Sequence, residues 1–257
     1  MLPTLFLSHG SPMTVLADSP ARTFMEGFGR RLGRPRAILV ASAHWETERA
    51  SLNAVDVNPT IHDFYGFPPA LYALRYPAPG APNLAEQASD LLCAAGLASR
   101  VDRRRGLDHG AWVPLLLMYP QADIPVVEIS IQSRLGPAHH FQLGRALAPL
   151  REQEVLIIGS GSFTHDLSRI RRTGAQEEAA DVRDFAGWFD SALTAGRTCD
   201  LLTYRTQAPY AAENHPTEEH LLPLYVAMGA AGPGARAERL HSSVQYSVLR
   251  MDAYAFH

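Results

Sequence analysis

Four short apolar runs limit what this chain can fold into. Thr4 to Leu7, Ala37 to Ala41, Val126 to Ile131 and Val155 to Ile158 are each bounded by polar or turn residues. They are short for core helices and largely lack polar alternation, which is the pattern of strands buried on both faces. Segments of helical periodicity separate them. Ser19-Pro20 supplies an N-cap and a first helical position for a helix to about Leu32. Leu84, Ala88, Leu91, Leu92 and Ala95 share one face of a second helix, stopped by Gly96. Val182, Phe185, Ala186, Phe189 and Leu193 mark a third from Glu177 to Ala195, and Thr217 is expected to cap a fourth through about Gly229. Such alternation predicts a single α/β domain over residues 1–257, with a largely parallel central sheet flanked by helices. The tail from Ser243 to Leu249 alternates weakly and is expected to be an edge strand.

In open parallel sheets the ligand crevice lies at the carboxyl ends of the strands. Three of the predicted strands run out into a few small residues and then a histidine. These are Ser8-His9-Gly10, Ala41-Ser42-Ala43-His44 and the stretch from Gly159 through Ser162 to His165. Neutral imidazole is a good ligand for zinc, iron or copper, so three such residues can converge on one divalent metal ion. Small neighbours keep the site open to close backbone approach. His109 sits in a loop before an apolar helix, His62 lies between prolines, and His139, His140, His241 and His257 read as surface or packing residues. Asp63, Asp108 and Asp166 each adjoin a histidine and could orient it.

Composition removes several chemistries. The 23 basic residues are all Arg, which excludes a Lys Schiff base and a P-loop. A net charge of −3 gives no nucleic-acid surface, and Arg103 to Arg105 reads as a solvated loop. Cys93 and Cys199 fall in apolar helical stretches and are expected to be buried free thiols. No disulfide framework is implied, which fits a cytoplasmic protein. No run of about 18 apolar residues predicts a membrane span, and the N-terminus lacks the basic region of a signal peptide. Gly159-Ser160-Gly161-Ser162 misses the register of a nucleophile elbow, and no H-E-x-x-H occurs.

Taken in order, Ser8-His9-Gly10-Ser11-Pro12-Met13, Ser42-Ala43-His44-Trp45, Thr60-Ile61-His62-Asp63-Phe64, Asp108-His109-Gly110 and His215-Pro216-Thr217-Glu218-Glu219-His220 make a specific set. Tyr76-Pro77-Ala78-Pro79-Gly80 and Ala122-Asp123-Ile124-Pro125-Val126 extend it. The chain resembles the class III extradiol ring-cleavage dioxygenases, in their 4,5-DOPA extradiol dioxygenase-like branch. That resemblance runs from about residue 2 to the C-terminus.

The resemblance implies a mononuclear non-haem metal site that opens the ring of a catechol with dioxygen. Its metal ligands carry over onto His9, His44 and His220. His165 matches a fourth position, as a ligand or as the catalytic acid/base. His109 would be a second catalytic group, stabilising negative charge that develops on oxygen. His62 and Trp45 are expected at the substrate, with Phe64, Tyr65 and Trp112 nearby. Arg75, Arg103 to Arg105 or Arg169 could meet a substrate carboxylate. The usual non-haem Fe(II) site is two His and one carboxylate. Here the third ligand is His220, with Glu219 beside it. An all-His set favours zinc as the bound ion, whereas ring cleavage with dioxygen requires Fe(II), since zinc has no accessible redox change. One divalent ion per chain is expected, with no nucleic-acid or membrane partner, and the sequence leaves the oligomeric state open. A zinc-dependent hydrolase built on the same cluster is the alternative.

Overall fold

The computed structural model describes residues 1–170 and 177–257. Its strands are β1 (Thr4–Ser8), β2 (Ala37–Glu46), β3 (Ala50–Asn53), β4 (Ser99–Asp102), β5 (Val126–Ile131), β6 (Val155–Gly161), β7 (Ala237–His241), β8 (Val244–Gln245), β9 (Leu249–Arg250) and β10 (Ala253–Phe256). The helices are α1 (Pro20–Leu32), α2 (Pro69–Ala73), α3 (Pro82–Ala94), α4 (His109–Met118), α5 (Gly136–Leu147), α6 (Ala180–Thr194), α7 (Thr198–Leu202), α8 (Tyr204–Gln207), α9 (Ala211–Asn214) and α10 (Leu222–Ala231). Eight strands form one sheet in the order β4-β3-β5-β2-β6-β1-β10-β7. Its centre, β5-β2-β6-β1, is parallel throughout. β10 and β7 extend it antiparallel beyond β1, and β3 is antiparallel to β5 on the other side.

Alternation along each central strand sorts its side chains between two helical layers. Leu5, Leu7, Ile38, Val40, Leu156 and Ile158 pack under α1 and α4, with Met25, Phe28 and Trp112. Leu39, Ala41, Val127, Ile129 and Ile157 pack against α3, α5 and α10, with Ala88, Leu143 and Val226. Burying each such Leu or Ile is worth about 1.5–3 kcal/mol. α10 is buried along its whole length and lies directly on the sheet, so it shows no polar face. Among the described residues no helix is long and apolar enough to cross a membrane.

Several sequence expectations shift. The segment from Ser243 to Leu249 is not an edge of the main sheet; β8 and β9 make a small separate hairpin. The antiparallel extension is instead β10 and β7, and β10 is buried between β1 and β7. Thr217 caps no helix. The chain turns through Glu218, whose carbonyl accepts from Leu221 N–H, and α10 begins at Leu222 with Pro223 in its first turn. Proline there comes with its φ already set for the helix, so the start lies later than the polar run suggests. Cys93 and Cys199 are exposed rather than buried, because each falls on the outward side of its helix.

His140 is fully buried and joins the end of β5 to α5. Its Nδ1–H donates to the Gly136 carbonyl at 2.7 Å, and its Nε2 accepts from Gln132 N–H at 3.0 Å. Burial lowers its pKa from 6.5 to about 4. As pH falls, the unfolded chain therefore takes up this proton first. The residue's contribution to stability is full above about pH 6.5 and drains away down to about pH 4. His140→Leu strands the Gln132 N–H and should cost about 1–3 kcal/mol at pH 7, read by urea denaturation. Its stability should also fall less steeply between pH 7 and pH 4 than that of the unaltered protein.

Candidate metal centre

The site begins with strand register. Leu7 on β1 and Ser42 on β2 both pair with Ser160 on β6, so the three residues lie level across the sheet. His9 and His44 stand two residues further along, beyond the regular pairing, and both face the α4 side, His9 against Ser160 and His44 against Gly110. They lean in from either side over the end of β6. β6 itself ends in small residues there, Ser160 and Gly161.

The third imidazole comes from the α10 side. Gly161 lets the chain before α10 close onto β6: a Cβ at Gly161 would sit 2.0 Å from the His220 carbonyl oxygen. That carbonyl accepts from Ser162 N–H at 2.8 Å, which fixes His220 above the sheet. α4 approaches from the opposite layer. At Gly110 a Cβ would meet Ser42 Oγ at 2.5 Å and the His44 ring at 3.1 Å, so this turn needs glycine to bring His109 alongside.

The result is a group of three nitrogens. His9 Nε2 is 3.0 Å from His44 Nε2, and His220 Nε2 is 3.2 Å from His44 Nε2. Imidazoles sharing one ion at about 2.0–2.1 Å have donor atoms about 3–3.4 Å apart. Donor atoms of these three residues all lie within 4.8 Å of one another.

The outer nitrogens test whether a metal suits this group. His9 Nδ1 is 3.0 Å from Ser160 Oγ, and that hydroxyl spends its only proton on the Gly110 carbonyl. Ser160 must therefore accept from His9, so Nδ1 holds the proton and Nε2 presents a lone pair. His220 Nδ1 is 2.9 Å from Glu219 Oε1, and His44 Nδ1 faces Asp63 Oδ2 at 3.5 Å. Burial lowers the pKa of all three, helped by neighbouring histidines, His44 to about 4. Neutral rings with protons outward and lone pairs inward are what a divalent cation needs.

Two further histidines flank the group. His109 lies with its ring centroid 3.8 Å from that of His44. Asp63 holds it twice, accepting from His109 N–H at 3.0 Å and from Nδ1 at 2.9 Å. Burial alone would raise the Asp63 pKa, but these bonds and the His109 and His44 charges hold it down to about 2. His165 stacks on His220 with centroids 3.4 Å apart, and its Nδ1 is 3.8 Å from Glu219 Oε1. It lies outside the group of His9, His44 and His220 but makes a second group with Glu219 and His220 whose donor atoms also lie within 4.8 Å of one another. Burial lowers its pKa to about 4, against the opposing charges of Glu219 and Asp166.

These five histidines form one end of a cavity of about 550 Å³. Its walls are Pro12, Met13, Phe64, Tyr65, Phe67 and Leu167, with Ile170, Tyr246 and Leu249. Two expected substrate residues stand elsewhere. Trp45 does not line the cavity; it is 6 % exposed under the Arg105 guanidinium, in the stretch where β2 departs from its register with β5. His62 bonds the Leu74 carbonyl and lies behind Phe64 against Trp112. The arginines are also committed away from the cavity. Arg105 pairs with Asp108 and Glu128, Arg103 with Glu86 and Arg169 with Asp181, while Arg75 bonds backbone carbonyls. Sequence reasoning missed Ser160, whose role appears only once register sets it beside His9. It also missed Tyr246 and Leu249, which bear no chemical signature.

Comparison with known proteins gives the family. Residues 3–257 match the family described as the catalytic LigB subunit of aromatic ring-opening dioxygenase. A Beta vulgaris protein named 4,5-DOPA dioxygenase extradiol is 48% identical over 257 residues, covering 98% of this chain and 96% of the relative. An Escherichia coli K12 protein of the same name is 41% identical over 233 residues, covering 89% and 85%. The crystal structure of an uncharacterized E. coli K12 protein superposes with a TM-score of 0.85 at 32% identity, covering 100% of both chains. The chain therefore belongs to the family of aromatic ring-opening dioxygenases, in its extradiol branch.

Proposed function

We propose that this extradiol ring-opening dioxygenase acts on a catechol held at a single divalent ion bound by His9, His44 and His220. The observation that supports the ligand set is the convergence of three neutral Nε2 atoms, with the outer Nδ1 of each facing an acceptor. Bound there, the ion would acidify the catechol hydroxyls and, if it is iron, supply the electron transfer that ring cleavage with dioxygen requires. The surrounding side chains do the rest. Phe64 and Phe67 offer aromatic surface to the substrate ring, and the apolar walls exclude water from it. His109, its Nδ1–H held by Asp63, keeps an Nε2 lone pair that would take a proton from the substrate and, once protonated, donate to an oxygen that gains negative charge. His165 stacks on His220, lines the cavity and stands outside the three-nitrogen group, which supports its reading as the acid/base.

The name of the relatives makes DOPA the first catechol to offer. Two exposed free cysteines suit a reducing compartment, consistent with a cytoplasmic location.

Chelated protein should be inactive. Anaerobic reloading with Fe(II), followed by catechol and air, should yield a yellow semialdehyde by absorbance, and Zn(II) reloading should not. Ester or amide cleavage by the zinc form, with no ring product from the iron form, would favour the hydrolase reading instead. His165→Ala should lower kcat by about 10²–10⁴-fold while leaving metal affinity within a few-fold of the parent. A variant that no longer retains the ion would make His165 a ligand.

A further inference from the structure

We infer that Asp63 is a positioning residue that couples the metal group to the aromatic wall of the cavity. The inference rests on the reading that His9, His44 and His220 hold the ion. Asp63 lies in an irregular loop and is followed directly by Phe64, Tyr65, Gly66 and Phe67, all of which line the cavity. Its carboxylate nevertheless reaches inward, and its side chain is only 22 % exposed. Oδ1 accepts from the His109 backbone N–H at 3.0 Å, at the start of α4. Oδ2 accepts from His109 Nδ1 at 2.9 Å and faces His44 Nδ1 at 3.5 Å. One side chain therefore faces a proposed metal ligand, a proposed catalytic histidine and a helix start at once.

An ionised carboxylate has acceptors only, so it favours a proton on both Nδ1 atoms and leaves both Nε2 atoms free to face the cavity. An ion on His44 Nε2 requires that same tautomer. Binding the ion and docking the loop through Asp63 thus favour each other, and such coupling is reciprocal. Asparagine has nearly the same shape but only one acceptor oxygen. With its oxygen kept on His109 N–H, its NH₂ would face two ring nitrogens, favouring the tautomer that turns N–H toward the ion.

The test uses zinc and the full-length protein. In the unaltered protein, zinc should slow amide exchange at Phe64 to Phe67 several-fold, read by mass spectrometry. Asp63→Asn should weaken zinc binding by about 10–100-fold, read by competition with a chromophoric chelator, and should abolish the zinc effect on exchange. A purely structural role would lower the melting temperature and leave zinc affinity alone. Exchange that ignores zinc in the unaltered protein, or Asp63→Asn binding zinc within threefold of it, overturns the coupling and leaves the metal reading intact. The exchange measurement needs no variant, so it decides even if Asp63→Asn does not fold. An unaltered protein that binds no zinc, Fe(II) or other divalent ion overturns both readings.

Discussion

The site depends on three strands ending in step. β6 pairs with β1 on one side and β2 on the other, and Ser160 is level with Leu7 and with Ser42. Strand side chains repeat every two residues. The level pairing therefore brings the two strand ends to the same height, with His9 just beyond β1 and His44 in the irregular end of β2. A register slip of one residue on either strand would turn one imidazole into the opposite helical layer. The same strand ends must also be bare. Gly161 and Gly110 are the points where the chain before α10 and the start of α4 come too close for any side chain.

What this framework assembles is electrostatically awkward on its own. Three lone pairs face one another at 3.0 and 3.2 Å in a buried pocket, and burial keeps the rings from gaining charge. The outer contacts hold that arrangement. Ser160, Glu219 and Asp63 draw the ring protons outward, one partner per ring, two of them acidic. In the proposed all-imidazole set the acids matter more, because the ligands would bring no negative charge of their own to offset a divalent cation. Glu219 and Asp63 supply it one bond further out.

Much of this was legible beforehand, for identifiable reasons. The four central strands are buried on both faces, so their apolar runs stand out, and their ends point to His9, His44 and His165. Antiparallel β7 and β10 were missed because short mixed segments resemble loops until a partner strand exists. Trp45 stands away from the cavity because it packs under Arg105, a partner that its adjacency to His44 does not announce. His62 shares a motif with Asp63, yet only the acid reaches the histidines; the neighbouring histidine faces the Leu74 carbonyl. Sequence neighbours in a loop diverge in ways that periodicity does not describe. Family resemblance, rather than pattern, brought in His220, since nothing in the run before α10 announces that Gly161 will receive it.

The three imidazoles also come from very different times in the life of the chain. His9 and His44 leave the ribosome early, on strands separated by β6, which is made much later. His220 arrives only with α10. Contacts of such long sequence separation form late, after β6 has inserted between β1 and β2 and α10 has closed over it. A nascent or partly folded chain thus offers an ion only part of this group, the kind of weak site that exchanges freely. On the proposed ligand set, tight retention of an ion would be a property of the finished sheet with α10 closed over it.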